Sequence, residues 1–223
     1  MTQPQTPGLD KPVVAEGLGT GLLVAAVVGS GIMGDRLADG NVAVALLANT
    51  LATAAALVAL ILTFGPISGA HFNPAVTVAE ASQGRLRWGA AAAYVGAQVA
   101  GGLLGILVAH TMFGEPLVAF SHHARSGGAQ MVSEFVATFG LVGVIWSCAR
   151  HRPDAVPFAV AAYIAAAYWF TASTSFANPA VTIARAFTDS FAGIRPSDVP
   201  GFIVAQGLGA AAATLTFRWL DSE

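Results

Sequence analysis

Charge is what this chain has least of. Asp, Glu, Lys and Arg make up 10% of its 223 residues, against about a quarter in a soluble globular domain. That shortfall excludes an ordinary water-exposed surface. Cysteine is almost missing too: a single Cys148 rules out an internal disulfide and a CxxC pair. No cluster of His, Cys, Asp and Glu has metal-ligand spacing, and no nucleophile–base pair suggests an enzyme, so no cofactor is expected. The formal net charge of −2, with no basic run, speaks against nucleic acid as a partner. What is present is apolar. Hydrophobic residues are 55% of the chain, gathered in stretches that lack the polar face of a soluble amphipathic helix.

Six stretches approach the roughly 20 residues that a helix needs to cross a hydrocarbon core about 30 Å thick. They fall at 13–33, 42–64, 88–110, 131–149, 156–174 and 199–220. Gly and Ala recur inside them, and small residues let helix backbones approach closely in lipid. With both termini cytoplasmic, Lys11, Arg85, Arg87, Arg150, Arg152 and Arg218 lie inside, and Arg36, Arg125, Arg185 and Arg195 outside. The excess runs in the positive-inside direction. The expected organisation is a cytoplasmic segment 1–12, a first repeat 13–110, a connecting loop 111–130, a second repeat 131–220 and a tail 221–223. The polar, Pro-rich start reads as a cytoplasmic segment rather than a cleavable signal.

Two further segments, 66–83 and 175–190, are apolar but too short to span. Each contains Asn-Pro-Ala: Asn73, Pro74 and Ala75 in one, Asn178, Pro179 and Ala180 in the other. Asn is a strong N-cap and Pro suits the first helical turn, where its missing N–H is not needed. Each segment therefore reads as a loop, an Asn cap and a half-helix of about ten residues, some 15 Å long. The surroundings repeat as well. Glu16 aligns with Glu134, Gln98 with Gln206, and the run HFNPAVTVA with FANPAVTIA. Three spans and one half-helix per repeat place the two halves in opposite orientations. The half-helices then enter from opposite sides and point their N-termini at each other near the midplane.

Each such tip carries unpaired N–H groups and about half a positive charge. Two tips together would repel a monovalent cation about 4 Å away by about 4 kcal/mol at an effective dielectric of 20. The Asn73 and Asn178 carboxamides can donate to the oxygen of a passing molecule. A water held through its oxygen by both cannot relay a proton. The expected permeant is small and uncharged.

These residues, His71–Thr77 and Asn178–Ala180 with Glu16, Glu134, Gln98 and Gln206, resemble the aquaporin and aquaglyceroporin family of major intrinsic proteins. The resemblance implies an all-α membrane fold of six transmembrane helices and two re-entrant half-helices in an inverted 3+3 repeat. It also implies a homotetramer with a pore in each protomer, in a plasma or inner membrane bilayer. Glu16, Glu134, Gln98 and Gln206 are expected to brace the re-entrant loops. Gly69, Ala70, His71, Phe72, Ser173 and Thr174 are expected to present loop backbone to the pore.

The family's outer constriction maps by counting onto Thr53, Ala166, Ser175 and Val181. The last position is usually Arg, and Val181 is the informative departure. Its absence implies a wide, uncharged ring passing water, glycerol, urea and neutral metalloid hydroxides such as arsenite, and it resembles a bacterial subgroup associated with arsenic handling. Arg185, one turn beyond Val181, is expected to point away from the constriction. The competing readings are a water-selective pore and, from another class, a proton- or ion-coupled secondary transporter using Glu16 and Glu134.

Overall fold

The computed structural model describes residues 10–221, all of whose regular structure is helical. The elements are α1 (Asp10–Leu37), α2 (Val42–Ser68), α3 (Pro74–Ser82), α4 (Trp88–Phe113), α5 (Gly128–His151), α6 (Val156–Phe170), α7 (Pro179–Arg185) and α8 (Val199–Leu220). Residues 1–9 and 222–223 of the expected terminal segments lie outside the described residues. Helix α1 starts three residues earlier than the sequence suggests, and α2 runs through Pro66 to Ser68 before Gly69 closes it in the left-handed conformation. Among the described residues, five helices are long and apolar enough to cross a membrane. The sixth crossing, α6, has 15 residues and ends before the expected 174, about 22 Å at 1.5 Å per residue. A 3-10 turn at Pro153–Ala155 lengthens it on one side.

The packing follows the repeat. Helix α1 lies along α4 and α2 as α5 lies along α8 and α6, and each half-helix also touches the last helix of the other repeat. The α1–α4 crossing depends on glycine: a Cβ on Gly101 would strike the Gly17 carbonyl oxygen, and one on Gly105 the Gly21 carbonyl oxygen. Hydrophobicity gives helices little reason to associate in lipid, so this backbone contact is where packing energy arises. On the outside, Leu18, Leu51, Leu104, Val132 and Leu208 are exposed, as befits a membrane-spanning protein. The buried core surrounds α3 and α7, which meet between the two halves.

A pore built from two mirrored loops

The loops ahead of α3 and α7 have the same backbone. Ala70 and Phe72 hold φ of 49° and 50°, and the equivalent Ser175 and Ala177 hold 50° and 48°. Left-handed non-glycine residues are uncommon and persist only where their surroundings enforce them. The enforcing groups are the two glutamates. Glu16, fully buried, accepts from Ser68 Oγ at 2.6 Å, the His71 and Phe72 amides at 2.9 and 2.7 Å, and Gln98 Nε2 at 2.8 Å. Glu134, also fully buried, accepts from Ser173 Oγ at 2.6 Å, the Phe176 and Ala177 amides at 2.8 Å each, and Gln206 Nε2 at 2.6 Å. The glutamines reach onward to Thr77 and Thr182 in the half-helices, at 2.9 Å each. Four donors saturate each carboxylate, which answers the cost of burying a charge. Neither glutamate lines the cavity.

The Asn-Pro-Ala segments act as caps and as a clasp. Asn73 Oδ1 accepts from the Ala75 amide, and Asn178 Oδ1 from those of Ala180 and Val181. Their amide nitrogens donate across the axis: Asn73 Nδ2 to the Ala177 carbonyl at 2.7 Å and Asn178 Nδ2 to the Phe72 carbonyl at 2.8 Å. A carboxamide has two N–H bonds, so each Asn keeps one beyond this clasp. Both residues line a single cavity of about 290 Å³ that extends from Arg85, Ala149 and Val156 at one end to Tyr168, Phe176 and Arg185 at the other. Between them the wall is aliphatic, with Leu23, Val27, Leu57, Ile61, Val76, Leu141 and Ile164. A polar stripe on an otherwise apolar tube orients a solute without trapping it.

Several expected wall residues are in place: Gly69, Ala70, His71 and Phe72 of the first loop, and Thr53, Ser175 and Val181 at the far end. His71 Nδ1 is 3.1 Å from Thr77 Oγ1, which fixes the ring beside Tyr94. Four residues are placed differently from the sequence reading. Ala166 is exposed and off the wall; Tyr168 lines the cavity instead, its hydroxyl 3.3 Å from Thr53 Oγ1. Two residues along a helix turn a side chain by about 200°, so an ungapped count that slips by two lands on the opposite face. Ser173 and Thr174 do not reach the cavity. Ser173 serves Glu134, and Arg125 Nη1 holds both, donating to the Ser173 carbonyl at 3.1 Å and Thr174 Oγ1 at 3.4 Å. Arg185, expected to point away, lines the cavity.

Sequence reasoning passed over Ser68 and gave Ser173 a backbone role only, not its hydroxyl's bond to Glu134. Each stands five residues before its Asn, a repeat signal as clear as that of the glutamates. Arg125 had no such signal, because its partners come from a distant loop: it donates from Nε to the Gly193 carbonyl at 2.8 Å, and its amide donates to Asp198 at 2.8 Å. Burial draws its pKa down to about 10, so it remains charged at neutral pH. His123 nearby is shifted below its ordinary value by burial, then by Arg125 and Arg185. At the opposite end, Glu80 and Arg85 pair at 3.2 Å, with Arg85 lying 4.2 Å over the Trp146 ring.

The wall, the clasp and the inverted repeat define a membrane channel for small neutral molecules. The chain belongs to the major intrinsic protein family, whose model matches residues 4–156. It is 58% identical over 212 residues to an aquaglyceroporin of Rhizobium meliloti, AqpS, covering 95% of this chain and 91% of that one. It is 35% identical to the aquaporin TIP1-2 of Zea mays, over 81% of this chain and 75% of the other. Among solved structures, the aquaglyceroporin from Plasmodium falciparum superposes with a TM-score of 0.67, covering 94% of this chain and 96% of that one at 19% identity. That likeness is one of fold. Channels of this family are passive and not enzymes.

Proposed function

We propose that this pore conducts glycerol- and urea-sized neutral solutes, water, and neutral metalloid hydroxides such as arsenite across the plasma membrane. Val181 carries the reading. The position that would hold a guanidinium in the ring holds an isopropyl group, among Thr53, Tyr168 and Ser175. Three hydroxyls remain on that ring, and Ser175 Oγ has no protein partner among the described residues. Hydroxylated solutes can exchange water for these groups, while an ion would lose its hydration to an apolar tube. The Rhizobium meliloti relative's designation as an aquaglyceroporin supports the same solute class. The excess of basic residues on one side supports cytoplasmic termini, and the family resemblance together with exposed apolar helix faces supports a homotetramer.

Tyr168 narrows the ring relative to the alanine expected there, and this favours water selectivity as a second reading. Coupled transport has less support, since Glu16 and Glu134 are saturated and Glu80 is paired with Arg85. Osmotic-shock light scattering in proteoliposomes tests the choice, with glycerol, urea and arsenite as solutes. Wild type is expected to pass all three. Val181→Arg is expected to lose them at least roughly tenfold, the scale of a misfitted group in a pocket, while keeping water. Wild-type vesicles that admit water alone would establish the second reading.

A further inference from the structure

Val181 takes the guanidinium out of the ring, yet the cavity still contains one. Arg185 lies four residues further along α7, about 6 Å at 1.5 Å per residue. Helical side chains tilt toward the N-terminus of their helix, and the N-terminus of α7 is at the pore centre, so the side chain runs back toward the ring. Arg185 lines the cavity while only 2% exposed. Its Nε donates to the Ala192 carbonyl, and its Cζ lies 3.4 Å over the Phe176 ring. Arg125 comes over the same ring at 5.0 Å, held by carbonyls of Gly193, Ser173 and Phe191 and by the Thr174 hydroxyl. Among the described residues, no carboxylate is within ion-pair distance of either guanidinium. The titratable neighbours of Arg185 are Arg125, Tyr168, Glu134 and His123. A buried charge without a counter-ion is costly, and in a membrane such groups mark the path of a permeant.

We propose that Arg185, seated on Phe176 and reinforced by Arg125, is the cation-rejecting residue at this end of the pore, set back one turn so that the ring at Val181 stays wide. An arginine in the ring does two things at once: it repels cations and it fills cross-section. Repulsion acts through space and needs no contact, whereas occlusion does. Moving the charge a turn away separates the two effects, so a large neutral solute passes where a cation does not. The half-helix tips add to the barrier from the other direction. This rests on the assignment of Val181 to the constriction, and the test keeps the two apart.

In proteoliposomes, K⁺ leak and glycerol flux are measured together for wild type, Arg185→Gln and Arg185→Lys. The ratio of K⁺ leak to glycerol flux is expected to rise at least roughly tenfold in Arg185→Gln, the order of one unit charge several Å away. Arg185→Lys is expected to match wild type at neutral pH. It should then leak as pH rises above neutral, ahead of wild type, because burial strips the proton from an amine at lower pH than from a guanidinium. An assembled Arg185→Gln channel with the wild-type ratio overturns the proposal. If that variant does not assemble, Arg185→Lys carries the test, and a leak that stays flat with pH overturns it. Failure of both to assemble also overturns it, since the side chain would then be a pin for the fold. Should wild type pass water but not glycerol, the wide-ring reading fails, while K⁺ leak referred to water flux still judges Arg185.

Discussion

Tyr168 and Ala166 show how finely a pore is specified at the level of single residues. Both stand on α6, two positions apart, and only Tyr168 faces the solute path. Truncating Tyr168→Ala removes the aromatic wall and is expected to raise glycerol and urea permeability several-fold relative to water, on the scale of a changed pocket contact. Ala166→Leu is expected to leave both unchanged; stopped-flow light scattering on the pair checks the assignment. Glu134 makes a different case. Glu134→Ala leaves Ser173 Oγ, two backbone amides and a glutamine without their acceptor. At about 1–3 kcal/mol for each unsatisfied donor, the loss is expected to exceed about 3 kcal/mol. Thermal unfolding in detergent should show it, with Glu134→Gln retaining part of the stability. Glu16, Glu134, Gln98, Gln206 and the two Asn were legible in the sequence because the repeat states each twice. Tyr168, Arg125 and Arg185 were not, because nothing in the other repeat matches them. Their roles depend on a rotation about α6, a loop contact and the tilt of a side chain.

Among the elements, the half-helices came out shorter than the sequence suggests. Helix α3 has 9 residues and α7 has 7, against about ten expected. Pro and Asn announce where a re-entrant helix starts, but its end is set by what the chain meets. For α7 that is the loop 186–195, which turns back so that the Ile194 amide donates to the Arg185 carbonyl. A second loop, running across it, is clipped on by Asp189, which accepts from the His122 amide at 2.9 Å and faces His122 Nδ1 at 3.0 Å. Those bonds hold the Asp189 carboxyl below its ordinary value of 3.8. A depressed carboxylate contributes stability above its unfolded value and loses it as pH falls through its folded value. The clip is therefore expected to be intact at neutral pH and to release only below about pH 4. Faster exchange of the His122 amide than a neutral-pH baseline predicts, after correction for intrinsic rates and absent in Asp189→Asn, is the observable. Glu134 and the clasp lie deeper, so amides of Phe176 and Ala177 are expected to stay protected at the same pH.

In the whole molecule, one structural idea is used twice. Each glutamate folds one loop, each loop aims one Asn, and each Asn donates to the carbonyl of the opposite loop. The two halves are thereby locked to one another at the centre of the membrane while a cavity remains between them. The symmetry ends at the outer wall. There Val181, Tyr168 and Arg185 line the cavity; in the proposed reading Val181 widens the ring and Arg185 holds a charge one turn back from it. On that reading, solute range is a property of the asymmetric part, superimposed on a symmetric frame. The reflection coefficient of glycerol across proteoliposomes, wild type against Val181→Arg in the same preparation, tests this most directly. The account predicts that wild type reflects glycerol incompletely and that Val181→Arg reflects it fully while water flux persists. Full reflection of glycerol by the wild-type channel would contradict it.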